Sequence, residues 1–96
     1  MDSFDEFLKV VKQIRKECPW DSVQTHESLK PYLREETEEV LQGVDRLIQQ
    51  KDAGNLCEEL GDVLFQIVLH SVIAEEEGLF TLEDVVMGVM NKMKYR

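Results

Sequence analysis

From Val63 to Ile73 the chain reads VLFQIVLHSVI, apolar at every position except Gln66, His70 and Ser71. A helix on the surface of a small protein needs one apolar stripe, whereas a segment apolar nearly all round must be covered on several sides. Strand-like alternation is absent, prolines and glycines are few, and apolar residues recur at helical spacing throughout. In a chain of 96 residues three companion helices could hardly enclose such a segment fully, the alternative to pairing being a central helix in a monomeric bundle. The pattern therefore predicts an all-α chain of four helices that dimerises into a larger helical bundle, with this helix at the subunit interface. A chain of this size buries only about 60–65% of its unfolded surface, which favours pairing. No linker or low-complexity stretch divides it, so residues 1–96 read as a single domain.

Local signals place the helix ends. Ser3 with Glu6 forms an S-x-x-E capping box opening a helix with the stripe Phe4, Leu8, Val11 and Ile14, which stops before Pro19. CPWDSVQTHES follows as a structured connector. Ser28 is the expected N-cap of the second helix, with Pro31 in its first turn and Leu33, Val40, Leu41, Val44, Leu47 and Ile48 buried. That helix should end near Gln50, with Asp52 capping a third that runs to Gly78. Thr81 caps a fourth, with Asp84 in its first turn and Val85, Val86, Val89, Met90 and Met93 facing inward.

Twenty acidic residues against 11 basic ones give a net charge of −9. Nucleic acid and anionic membrane surfaces are poor partners for such a chain, because binding a phosphate backbone depends on Lys and Arg displacing counterions. No apolar run approaches the ~20 residues that span a bilayer. A divalent cation is a fitting partner, and with it an anionic small molecule. Cys18 and Cys57 lack metal-type spacing, and MDSFDEFLKVV lacks the basic flank of a secretory signal. Reduced thiols and a cytoplasmic location are the expectation.

The acids are not spread evenly. In YLREETEEVL, Glu36 and Glu39 are neighbours one helical turn apart and Glu35 sits beside Glu39; in NLCEELGD, Glu59 and Asp62 are neighbours and Glu58 sits beside Asp62. Both clusters adjoin the apolar stripe of their helix. An antiparallel hairpin with its turn near the midpoint, close to Gln49, brings them face to face. Two readings follow: solvated helix faces paired with Lys or Arg, or a cation site. Four unpaired carboxylates in a partly buried place repel one another, and a bound cation resolves that repulsion. All-oxygen ligands point to a hard ion, Mg²⁺ or Mn²⁺ ahead of Ca²⁺. The Glu-x-x-His motif of di-iron bundles is missing before His26 and His70.

CPWDSVQTHESLKPYLREETEEVLQ, EELGDVLFQIVLHSVIAEEEGLF and LEDVVMGVMNKMKYR together resemble the MazG family of nucleotide pyrophosphohydrolases, from Cys18 to Arg96. The resemblance implies an all-α homodimer, with dimers able to pair further, that uses Mg²⁺ (or Mn²⁺ in its place) to hydrolyse nucleoside triphosphates to monophosphate and pyrophosphate. Clearance of noncanonical or excess nucleotides is the implied role. The family's metal ligands match Glu36, Glu39, Glu59 and Asp62. Glu35 is then the candidate to accept the proton of the attacking water, and Glu58 a candidate for positioning water and substrate. Lys92 and Arg96 match a phosphate-contacting pair, and Trp20 and Gln24 lie in the connector that flanks the base in related enzymes. In longer members the segment after the K-x-x-x-R pair continues into an R-H-P-H-V-F-like tail, whereas this chain stops at Arg96. The competing expectation is accordingly a catalytically weak dimeric nucleotide- or metal-binding module, or a fragment of a longer protein.

Overall fold

Side-chain oxygens begin the helices and left-handed residues end two of them. The computed structural model describes residues 2–95, in which α1 (Ser3–Glu17), a 3₁₀ turn (Asp21–Val23), α2 (His26–Gln50), α3 (Ala53–Glu76) and α4 (Leu82–Lys94) follow one another, with no strand among the described residues. α1 is capped by Asp2, whose carboxylate accepts from the Asp5 N–H at 2.9 Å, and not by Ser3. An aspartate at the N-terminus adds favourable charge to the hydrogen bond, which a serine one position later cannot match. α1 ends at Glu17, ahead of Pro19 as expected.

α2 starts earlier than Ser28. Thr25 Oγ1 accepts from the Ser28 N–H at 3.0 Å and Ser28 Oγ accepts from the Thr25 N–H at 2.8 Å, a reciprocal capping box. Ser28 is thus the return half of the cap, and Pro31 lies inside the helix. The Thr81–Asp84 box of α4 forms as expected, with bonds of 3.2 and 2.9 Å. α3 stops at Glu76; Gly78, at φ 71°, provides the left-handed step that lets the Leu79 N–H reach the Ala74 carbonyl at 2.9 Å.

The described residues fall into two compact units, one made of Gln24–Ile67 and the other of the chain up to Val23 and from Val68 onward. The first is a helical hairpin. Lys51 takes the left-handed conformation at φ 57° and ψ 29°, and its N–H donates to the Leu47 carbonyl at 3.0 Å. The Asp52 carboxylate accepts from the Asn55 N–H at 3.4 Å and pairs with Arg46 at 3.0 Å, capping α3 while holding the last turn of α2. The two helices come close at Gly43: a Cβ there would stand 3.1 Å from Leu56 Cα and 3.4 Å from Leu56 N. Of the stripe expected to be buried in α2, Leu33, Val40 and Val44 are half-buried, whereas Leu41, Leu47 and Ile48 are exposed, Ile48 by 71%. A hairpin offers α2 one neighbour, narrower than its apolar face.

In the other unit α1, the 3₁₀ turn, the last part of α3 and α4 surround a core of Val11, Val68, Leu69, Val72, Ile73, Ala74 and Leu82. The nearly all-apolar segment of α3 is therefore split. Its second half is buried within the chain, while Leu60, Leu64 and Ile67 form an exposed stripe at helical spacing, Leu60 by 51%. On α4 only Leu82 is buried; Val86, Val89, Met90 and Met93, expected to face inward, are exposed. Among the described residues no helix is long and apolar enough to cross a membrane.

Candidate metal centre

Helical spacing puts Glu36 and Glu39 one turn apart on α2, and Glu59 and Asp62 one turn apart on α3. The tight link at Lys51–Asp52 folds the helices back on each other, and the close approach at Gly43 draws them together one turn from Glu39. One carboxylate oxygen from each of the four residues then lies within 4.8 Å of the others. Glu36, Glu39 and Glu59 are half-buried and Asp62 is exposed.

The electrostatics of this cluster are strained. Burial, followed by the charges of Glu39 and Asp62, holds the Glu36 carboxyl above its ordinary value. A proton shared with Glu39 raises Glu59 to about 7, helped by burial and by the charges of Glu39, Asp62 and Glu58. Oε2 of Glu36 and Oε2 of Glu59 are buried without a hydrogen-bond partner. Among the described residues no lysine or arginine forms an ion pair with any of the four; the basic side chains that do pair reach Glu27, Asp52, Glu75 and Glu76. A solvated acidic face would leave its oxygens in water or paired. Crowded carboxylates on facing helices, with buried oxygens left unpartnered, are what a hard cation satisfies, so the donor set fits a divalent ion that takes oxygen ligands.

The other residues singled out in the sequence are arranged around different parts of the fold. Glu35 is exposed on α2 and, with Pro31, Arg34, Glu38, Glu39 and Gln42, lines an open groove of about 540 Å³. Glu58 is exposed on α3 beside Glu59. Gln24 Oε1 accepts from Ser28 Oγ at 2.7 Å, just ahead of α2. Trp20 and Lys92 belong to the other unit, Trp20 half-exposed before the 3₁₀ turn and Lys92 exposed in the last turn of α4. Arg96 lies outside the described residues.

One contributor has no counterpart among the residues singled out above: Gly43, although a lone glycine inside a strongly helical pattern signals a packing requirement. Gln66, one of the polar interruptions of the apolar run, is buried with Oε1 unpartnered.

Comparison with known proteins bears on these residues directly. The MazG nucleotide pyrophosphohydrolase domain model matches residues 24–96, a stretch that includes all four clustered carboxylates. The chain is 45% identical over 92 residues to a nucleoside triphosphate pyrophosphohydrolase/pyrophosphatase MazG of Thermotoga maritima, covering 94% of this chain and 34% of that protein. It is 37% identical over 99 residues to a nucleoside triphosphate pyrophosphohydrolase of Escherichia coli K12, covering 100% of this chain and 36% of that one. An uncharacterized Bacillus subtilis protein, YabN, is 44% identical over 95 residues, 97% of this chain and 19% of its own length. The chain thus spans about a fifth to about a third of these relatives.

Proposed function

Since the chain belongs to the MazG nucleotide pyrophosphohydrolase family, we propose that it hydrolyses nucleoside triphosphates to the monophosphate and pyrophosphate, with Mg²⁺ as the cofactor and Mn²⁺ as a substitute. The observation that carries this reading is the cluster of Glu36, Glu39, Glu59 and Asp62, one oxygen of each within 4.8 Å of the others and, among the described residues, none paired with a basic side chain. These four residues would hold the cation. When bound, it supplies Lewis-acid polarisation of the phosphates and a lowered pKa for a coordinated water.

The chain's own residues do the rest. Glu35, exposed on the groove beside Glu39, accepts the proton of the attacking water, and Glu58 orients water and substrate from α3. Water adds at the α-phosphorus and pyrophosphate leaves, so no covalent nucleophile is required. Lys92 and Arg96 offset triphosphate charge, and Trp20 and Gln24 flank the base, the indole offering a stacking face. The substrate's base is recognised by shape and its charge by cations, consistent with removal of noncanonical or excess nucleotides in the cytoplasm.

The active form in this reading is a homodimer of single-domain chains. Leu60, Leu64 and Ile67 on α3 and Val86, Met90 and Met93 on α4 leave more apolar surface in water than a small monomer ordinarily tolerates. A second copy of the chain covers them. Leu64→Asp should then convert a dimer to a monomer in light scattering, and an unchanged dimeric mass would remove this stripe from the interface.

The deciding experiment is product analysis with a panel of NTPs and dNTPs, with and without Mg²⁺. Monophosphate and pyrophosphate formed only with metal supports the enzyme and ranks its substrates. Absence of turnover, with nucleotide and Mg²⁺ still bound in calorimetry, would replace the enzyme by a nucleotide-binding module.

A further inference from the structure

α3 ends against a local rule. Glu75 and Glu76 close the helix and Glu77 follows, while no basic residue stands in its last turn. Carboxylates at that end meet the negative pole of the helix dipole, the reverse of the stabilising arrangement. α1 supplies the compensation. Arg15 Nε and Nη2 donate to the two Glu76 oxygens at 3.0 and 3.1 Å, a bidentate fork, and Lys12 Nζ lies 3.7 Å from Glu75. The remaining edge of the guanidinium is used as well: Nη1 donates to the main-chain carbonyl of Asp21 at 2.7 Å. The Arg15 side chain is only 15% exposed and its bond to the Asp21 carbonyl is part-buried, whereas Glu76, at 47%, meets the fork from the solvent side.

What the arrangement holds is the turn after α1. The Ser22 N–H donates to the Cys18 carbonyl at 2.8 Å, and Ser22 Oγ donates to the Pro19 carbonyl at 3.4 Å. Asp21 is buried, yet Trp20 next to it is 44% exposed. A turn pinned by a half-buried guanidinium thus carries a partly exposed indole. Departures from local preference that are compensated elsewhere mark positions where function sets the requirement. Here the departure is the acidic end of α3, and the element it secures is the backbone of Trp20.

We infer that Arg15 is a positioning residue for nucleotide binding: clamped by Glu76, it holds the Asp21 carbonyl and so presents the Trp20 indole to the base. The inference rests on the assignment of Trp20 to the base made under the proposed function. Arg15 itself touches no substrate; its effect passes through the main chain. A lysine keeps the charge but cannot serve a bidentate carboxylate and a carbonyl together, because that requires the planar fork.

Trp20 is the single tryptophan of the chain, so its fluorescence reports this turn alone. The test uses the full chain and four measurements: acrylamide quenching of Trp20, the Kd of a non-hydrolysable nucleoside triphosphate with Mg²⁺, the affinity for Mn²⁺ alone, and Tm. Arg15→Lys and Glu76→Gln should each make Trp20 easier to quench and weaken nucleotide binding about tenfold, the scale of one lost charge-assisted contact. Mn²⁺ affinity should not change. Nucleotide affinity within about twofold of wild type in a folded Arg15→Lys or Glu76→Gln chain, while Trp20→Ala weakens it, overturns the role of Arg15 alone. If Trp20→Ala leaves nucleotide affinity unchanged, the base assignment falls and the inference with it. A drop in Tm with neither quenching nor affinity altered makes the cluster a structural staple only. Should Arg15→Lys fail to fold, Glu76→Gln decides by the same readings.

Discussion

Replacing Gly43 by alanine separates two effects that usually act together. In the interior of α2 the change favours the helix by about 1 kcal/mol, the difference in intrinsic propensity. Packing opposes it. The new methyl carbon would stand 3.1 Å from Leu56 Cα, 3.2 Å from Asn55 Oδ1 and 3.4 Å from Leu56 N, whereas carbon atoms rest at about 3.5–4.0 Å. Asn55 can rotate away, but two of the three atoms are main chain, so the helices must part by roughly half an ångström. Overpacking of this kind costs about 1–3 kcal/mol. The net expectation is a loss of about 1 kcal/mol, or a Tm lower by about 4–8 °C for a chain of this length. Gly61→Ala is the control, because a Cβ there meets no heavy atom within 4 Å and only the propensity gain remains. Thermal unfolding followed by circular dichroism should therefore move in opposite directions for the two variants. Mn²⁺ titration should weaken for Gly43→Ala, since Glu39 lies one turn away and the parting reaches the acid cluster. If Gly43→Ala stabilises the protein as much as Gly61→Ala, the close approach does not govern the hairpin and the reasoning fails.

Glu39→Ala should abolish Mg²⁺-dependent turnover while helicity stays near wild type; retained activity would take this residue out of the metal site. The metal-free protein should lose stability as pH rises. Glu36 and Glu59 have carboxyls raised above 4.5 in the fold, Glu59 to about 7, so their contribution is fully present below pH 4.5 and lost as pH passes through about 7. Tm without metal should fall across that window, fall less in Glu59→Gln, and rise instead with saturating Mg²⁺, which needs ionised ligands. A metal-free Tm that does not fall from pH 5 to 8, or falls as steeply in Glu59→Gln as in wild type, would contradict this. Lys51→Gly should stabilise the hairpin by about 1 kcal/mol by relieving a left-handed lysine, as read from urea unfolding.

Much of this protein is legible in its sequence because its decisive chemistry is local. The Thr81–Asp84 box, the stop before Pro19 and the Asp52 cap each involve residues a few positions apart, and each forms as read. Competition between adjacent caps is finer: Asp2 against Ser3 and Thr25 against Ser28 differ by less than spacing alone reveals. The acid cluster is readable for the same local reason, two residues one turn apart on each helix, plus a turn whose place Asp52 signals. Apolar pattern, by contrast, states that a face avoids water without stating what covers it, and so Leu41 and Ile48 were read as buried although they are exposed. Arg15 and Glu76 are 61 positions apart, and no spacing rule joins them. The same holds for Gly43 and Leu56, whose contact exists only once the hairpin has closed.

The short link at Lys51–Asp52 has a consequence for how such a chain can change over generations. Between the acid pairs of α2 and α3 the polypeptide acts as a ruler with one fold mark. Each residue of helix turns the next by about 100° and advances it by about 1.5 Å. Exchanging an exposed side chain anywhere along that ruler leaves Glu36, Glu39, Glu59 and Asp62 facing one another. Inserting or deleting a single residue between Gly43 and Glu59 swings one pair away from the other, so that in this stretch the gene is free in spelling but not in length.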